Sequence, residues 1–330
     1  MAPLEFLLIA LLALGLESVI GYPDLLFRKI GHPVTWMGAL IGFLDRTLNR
    51  DELDADRRRL NGILATCVNV ITSALVAAAL GTLAGLAGPI AGPCLAAVVG
   101  STLLAARSLH VHVAAVADAM RQGGLEAARA AVGKIVGRNP AHLDAAGVCR
   151  AAIESLAESF SDGVTAPLFW MAVLGLPGAA AYKAINTADS MIGHKTPRYL
   201  AFGWAAARLD DLVNLPASRL TAWAIVAAAL ADDGASAAAA VRAMDRDARR
   251  HKSPNAGWPE AAMAGALGLR LNGPKVYGDT RVEDAWMGDG RAEVNAYDID
   301  RALRLYRRAL FLMATVLGLL WLGLVILAFG

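Results

Sequence analysis

The sequence is poor in charge. Asp, Glu, Lys and Arg make up 18% of its 330 residues, where an average soluble domain carries about 25%. The signs nearly cancel, leaving a formal net charge of +2 and no basic low-complexity tail. That balance gives no electrostatic footprint for nucleic acid. Cysteine is scarce as well. Cys67, Cys94 and Cys149 lie far apart and no CxxC occurs, which excludes a disulfide framework and a cysteine-based zinc site. No GxxxxGK[ST] loop, HExxH or Ser-His-Asp pattern is present, so P-loop, zincin and serine-triad chemistries are excluded. His110 and His112 stand two apart, so on a helix they face apart and make no metal pair. No run of alternating β-branched residues and no fixed-period repeat occur either. An all-α chain is predicted.

What the chain has in quantity is hydrophobic residues, 56% of the total, with a mean hydropathy of +0.47. About 20 apolar residues cross the hydrocarbon core of a bilayer. Spans are predicted near 4–20, 62–87, 90–106 and 309–329, within a single membrane domain over 1–330. Gly88-Pro89 and Gly92-Pro93 divide the uncharged stretch Gly62 to Ala106 into two arms. The N-terminal span has Glu5 where a signal peptide would carry positive charge, so it reads as a retained anchor. Two further runs, 163–182 and 212–231, are ambiguous because the first holds Pro167 and Pro177 and the second Arg219. Basic loops at 21–61, 107–162 and 301–308 place those segments in the cytoplasm. The predicted architecture is a polytopic integral membrane protein with cytoplasmic helical segments and a polar site at the membrane face.

Three clusters of ionisable residues interrupt the apolar background. Glu154, Glu158 and Asp162 recur at i, i+4, i+8, which aligns them on one helical face leading into an apolar run. A solvated face would explain such a row. Acids without bases at a membrane boundary are costly, however, and favour a functional reading with magnesium as partner. Lys183, Asn186 and Asp189 are spaced by three, and Arg208, Asp211 and Asn214 repeat the pattern with Asp210 beside them. Surface salt bridges would account for these pairs, but Lys and Arg also hold phosphate and carboxylates hold its magnesium. Gly193 and Gly203 would allow tight turns between the helices. The third cluster, Ser253 to Asp279, opens with a Pro/Gly-broken loop and then an Ala-rich helix whose start suits an anion. These residue types together suit magnesium-dependent handling of a phosphate compound.

The motifs "HPVTWMG" from His32, "ESLAESFSDGVTAPLFW" from Glu154, "YKAINTADSMIGHK" from Tyr182, "ARLDDLVNLPASRL" from Ala207 and "SPNAGWPEAAMAGALGLRLNGP" from Ser253 occur in that order. With them the chain resembles the CobD/CbiB family of cobalamin-biosynthesis membrane proteins, the adenosylcobinamide-phosphate synthases, over nearly its full length. It departs from the family pattern at Tyr22, Asn139-Pro140 and Ser159, and no role is carried to those positions.

The resemblance implies an ATP- and Mg2+-dependent carbon–nitrogen ligase. It would join the free propionate of adenosylcobyric acid to aminopropanol or its O-phosphate through an acyl phosphate. On that reading Asp162, Asp210 and Asp211 hold magnesium. Lys183, Asn186, Lys195, Arg198, Arg208, Ser253 and Asn255 hold ATP or phosphate, and Glu154, Glu158 and Asp189 are catalytic. His32, Trp36, Trp258 and Glu260 line the corrinoid pocket. ATP use implies a bacterial inner-membrane enzyme with its site facing the cytoplasm. Partners are then the lipid bilayer and either a second copy or other membrane proteins of the pathway, with no nucleic acid. The rival readings are a corrinoid carrier, a lipid-headgroup phosphotransferase, and a non-catalytic regulator like the AmpE membrane protein, which looks like a distant relative.

Overall fold

The computed structural model describes residues 3–137, 139–277 and 280–329. In chain order the helices are α1 (Pro3–Ile20), α2 (Asp24–Ile30), α3 (Pro33–Leu48), α4 (Ala55–Gly85), α5 (Ala91–Ser101), α6 (Ala106–Val132) and α7 (Ala145–Phe160). A π-helical turn, Ser161–Thr165, leads into α8 (Ala166–Ile192), followed by α9 (Trp204–Val213), α10 (Leu215–Leu230), α11 (Ala237–Asp247) and α12 (Gly257–Leu267). Two antiparallel ribbons follow, formed by β1 (Leu271–Asn272) with β4 (Trp286–Met287) and β2 (Lys275–Tyr277) with β3 (Thr280–Val282), before α13 (Ala296–Phe329). The chain is all-α apart from these short ribbons.

The helices follow from local chemistry. Asp54 and Asp144 cap α4 and α7, accepting from the amides of Arg57 at 2.7 Å and Gly147 at 2.6 Å. His32 caps α3, with Pro33 at the first helical position. Gly88, with φ +94°, turns the chain between α4 and α5, as the Gly-Pro pairs predict.

Four helical stretches are long and apolar enough to cross a membrane: Ala55–Gly85, Ala91–Val132, Ala145–Ile192 and Ala296–Phe329. The pairs Leu4–Ile20 with Leu25–Leu48 and Trp204–Val213 with Leu215–Leu230 bring the number to six if each pair is one span. The predicted span 309–329 lies inside α13, and 62–87 lies inside α4 except for its last two residues, which are in the turn after Gly85. The span predicted at 90–106 is shorter as a helix, since α5 ends at Ser101 in a turn. The run 163–182 is broken by the π turn and again at Gly175, whose φ is +68°, two residues before Pro177. Gly175, Leu176 and Gly178 are buried at that break, whereas Val173 and Leu174 before it are exposed, so the irregular backbone is covered by protein on its C-terminal side. The apolar stretch of α13 is the opposite case. Phe311, Leu319 and Leu327 are exposed, as lipid-facing side chains are.

The chain forms two compact units, each assembled from separate stretches. Unit one comprises 1–105, 166–214 and 317–330, and unit two 106–165 and 215–316. In unit one α8 is the hub, packing on α1, α3, α4, α5 and α9. A Cβ at Gly62 would stand 1.8 Å from the Phe202 carbonyl oxygen, so that approach of α4 requires glycine. In unit two the buried, Ala-rich α12 packs on α7, α10 and α11. Gly265 lets α11 close in, since its Cβ would lie 2.5 Å from the Ala239 carbonyl.

Candidate active site

Unit one gathers the residues of α8 and α9. Asn186 Nδ2 donates to Asp210 Oδ1 at 3.2 Å, and Asn214 Nδ2 donates to Asp210 Oδ2 at 3.0 Å. The buried Tyr182 hydroxyl donates to Asn214 Oδ1 at 2.9 Å, and Lys183 Nζ reaches Asn186 Oδ1 at 3.5 Å. Both oxygens of Asp210 are therefore held by neutral amides. Helix α9 carries Arg208, Asp210 and Asp211 and lies outside the four long apolar stretches. Burial and the neighbouring Asp189 charge push the Asp210 carboxyl up to about 6, against the pull of the two amides.

Asp189 folds over the end of α8. A Cβ on Gly193 would sit 1.9 Å from its Oδ1, so glycine is needed to admit the carboxylate. Gly203 is needed in the same way, since a Cβ there would stand 1.6 Å from the Ile192 carbonyl oxygen. Both glycines serve close approach; neither has positive φ. Asp211 is half-buried, which raises its carboxyl, while Arg208 and Lys195 beside it pull the other way. Spacing aligns Asn214 with Asp211, but the fold pairs Asn214 with Asp210 through the i, i+4 contact.

His32 belongs to this neighbourhood. Its Nδ1 accepts from the Val34 amide at 3.2 Å, and its ring meets Tyr22 edge-on at 4.5 Å. Burial and then the Lys183 charge lower its pKa. Trp36 is exposed and donates to the Ile30 carbonyl at 2.8 Å. The Arg198 guanidinium donates to the buried Asp45 of α3 at 2.8 Å, while Arg208 and Lys195 stand beside Asp211.

Unit two holds a cavity of about 440 Å³. Its wall includes Glu154, Glu158, Ser253 and Glu260, together with His251, Lys252, Asn272 and Asp284. Glu154 Oε1 accepts from the Asn272 amide at 2.9 Å. His251 Nε2 stands 3.7 Å from Glu260 Oε1, and Lys252 Nζ 2.5 Å from Asp284. Ser253 Oγ accepts from the Asn255 and Ala256 amides at 3.1 and 3.2 Å, ordering the turn into α12. Asn255 and Trp258 meet Arg219. The guanidinium donates to Asn255 Oδ1 at 3.2 Å and lies 4.6 Å from the Trp258 ring centroid.

Asp162 departs from the predicted face. Glu154 and Glu158 share α7 and the cavity, but the π turn breaks the helical period before Asp162, which is not among the lining residues. Among the described residues no group of three or more His, Cys, Asp or Glu could hold a metal ion, so Asp162, Asp210 and Asp211 form no preformed cage. Magnesium carried on nucleotide phosphates needs only one or two carboxylates, and Asp210 with its neighbour Asp189 fits that need. The sequence reading passed over His251, Lys252, Asn272 and Asp284 as site residues. The first two sit immediately before Ser253, while Asn272 and Asp284 reach the cavity only through tertiary folding.

The family model described as "CobD/Cbib protein" matches residues 10–306. A relative from Sinorhizobium sp, "Cobalamin biosynthesis protein CobD", is 53% identical over 93% of this chain and 96% of its own length. Proteins of the same name from Rhodobacter capsulatus and Brucella anthropi are 50% and 47% identical, covering 96% and 95% of this chain and 98% of each relative. No solved structure matches. With the motifs in order and the match nearly end to end, the chain belongs to the CobD/CbiB family.

Proposed function

We propose that this protein acts in cobalamin biosynthesis as an ATP- and magnesium-dependent amide ligase, joining the free propionate of adenosylcobyric acid to aminopropanol or its O-phosphate. The α8–α9 cluster carries the reading: a carboxylate held by two amides, a second carboxylate beside it, and Lys183, Lys195 and Arg208 close by. Free carboxylate and amine do not condense in water without activation. Transfer of the γ-phosphoryl group of ATP to the propionate gives an acyl phosphate and ADP. Attack of the neutral amine then expels phosphate and leaves one proton to be taken up.

Lys183, Lys195 and Arg208 bind and orient the phosphates. Asp210 and Asp189 would hold magnesium, which when bound neutralises charge on the transferring group. Asp210 is kept in position by Asn186 and Asn214, so its oxygens need not reorganise. The site faces the cytoplasm, where ATP is supplied.

The test is an assay of the purified protein in detergent with adenosylcobyric acid, Mg-ATP and either amine, with products weighed by mass spectrometry. An amide-linked cobinamide formed with one ADP per product supports the ligase. Corrinoid binding without product moves the reading to a carrier or regulator.

A further inference from the structure

Several arginines of unit two are answered by acids. Arg246 meets Asp247 and Asp289, each at 2.6 Å, Arg250 reaches Asp247 at 3.8 Å, and Arg308 meets Asp232 at 2.5 Å. Arg219 of α10 and Arg249, in the 3-10 turn Ala248–Arg250 after α11, are different. Neither makes an ion pair among the described residues. The charge that acts on Arg219 is that of Arg249, a second cation. Asp245, one turn before Arg249, pairs with neither, and Glu260, the one acid of α12, stands beside His251.

The Arg219 guanidinium supplies a separate observation, because it is held by one end. Its Nη1 donates to Ser218 Oγ at 2.9 Å, to Asn255 Oδ1 at 3.2 Å and to the Leu215 carbonyl at 3.3 Å, and the Trp258 ring lies beside it. Nε and Nη2 donate to none of the described residues. These two nitrogens form the fork that meets two oxygens of a phosphate side by side. The partners of Nη1 are all neutral, so they orient the cation without cancelling its charge. A half-buried guanidinium held in this way is costly unless an anion meets its open edge.

We infer that Arg219 and Arg249 form a phosphate-binding site in unit two. The Nε and Nη2 groups of Arg219 take two oxygens of a phosphoryl group, and the exposed Arg249 adds its charge from the solvent side. Two sources carry that chemistry. Helix α10 continues from Arg219 into Leu220 and Trp223, which are 48% and 55% exposed, as side chains at a lipid surface are, so a phospholipid headgroup reaches the site from the bilayer. A soluble phosphomonoester reaches it from water. The inference does not depend on the ligase reading, since it concerns the phosphate alone.

The test uses the full chain in a nonionic detergent, without nucleotide, and two probes. Phosphatidylglycerol is followed by native mass spectrometry and glycerol phosphate by phosphorus NMR. Saturable binding of at least one probe is expected, and the probe that binds names the source. Diacylglycerol, which has the chains and no phosphate, is expected not to displace the lipid. Arg219→Gln should weaken binding at least tenfold. Arg219→Lys, which keeps the net charge and loses the fork, should weaken it at least fivefold. Arg249 is exposed and makes no ion pair among the described residues, so Arg249→Gln keeps the fold and should weaken binding at least threefold. Failure of both probes to bind, displacement of the lipid by diacylglycerol, or unchanged affinity in Arg219→Lys or Arg249→Gln would overturn the inference.

Discussion

The two polar clusters hold their carboxylates in opposite ways. On α8 and α9, Asp210 is gripped by the neutral amides of Asn186 and Asn214, with cationic side chains nearby. In the unit-two cavity, Glu154 is tied to the main-chain amide of Asn272, Glu260 stands beside His251, and Asp284 pairs with Lys252. The first arrangement suits a polyanion that arrives with a metal. One sequence pattern, acids at helical spacing near an apolar run, thus leads to two environments, and the neighbours brought in by folding decide which.

The strongest way to break the contrast is on the mixed-charge side. Asp210→Asn or Asp189→Asn should lower turnover by at least about a hundredfold, since each removes a charge placed for phosphoryl transfer. Turnover within a few-fold of the unaltered protein, measured as cobinamide product by mass spectrometry, would remove these residues from the chemistry. Next in size is Gly193→Ala. The new methyl group would meet Asp189 Oδ1, and relieving that clash should cost about 1–3 kcal/mol of stability and misplace the carboxylate. A drop of about tenfold in kcat is expected, consistent with small displacements costing up to about a hundredfold; an unchanged kcat would show that the position of Asp189 does not matter.

Asn214→Leu sharpens the comparison by removing one amide from Asp210 and the acceptor of the Tyr182 hydroxyl. Losing a partner in a buried network costs about 1–3 kcal/mol. Thermal unfolding in detergent should move down and kcat fall several-fold. The smallest effect is expected from Asp45→Asn. It leaves the reacting groups untouched but weakens the pairing of a buried carboxylate with Arg198, so the loss should show as about 1–3 kcal/mol of stability and not in kcat. A shift of tenfold or more in the KM for ATP in this variant would return Arg198 to the phosphate site.

Much of the fold was legible because lipid imposes a coarse rule. The charge-free run at 309–329 lies in a long helix, as does 62–87 up to Gly85, and the Gly-Pro pairs mark the turn between α4 and α5. The run 163–182 was ambiguous for a physical reason. Its prolines and Gly175 break the helix, and only packing on neighbouring helices makes that break tolerable. The unit-one cluster was legible from the spacing of Lys183, Asn186 and Asp189, since a single helix carries them. The departure of Asp162 from the face of Glu154 and Glu158 comes from a π turn, which residue spacing does not show. The pairing of Arg198 with Asp45 spans a long stretch of sequence, which spacing does not show either. The same distance hid Asn272 and Asp284, which join α7 and α12 only in three dimensions.

The most direct test of the central claim is to measure Mg-ATP affinity on the unaltered protein and on Asp210→Asn. The account predicts that Asp210→Asn weakens Mg-ATP at least tenfold, while an affinity within twofold of the unaltered protein, about 0.4 kcal/mol, would contradict the placing of the nucleotide at the α8–α9 cluster.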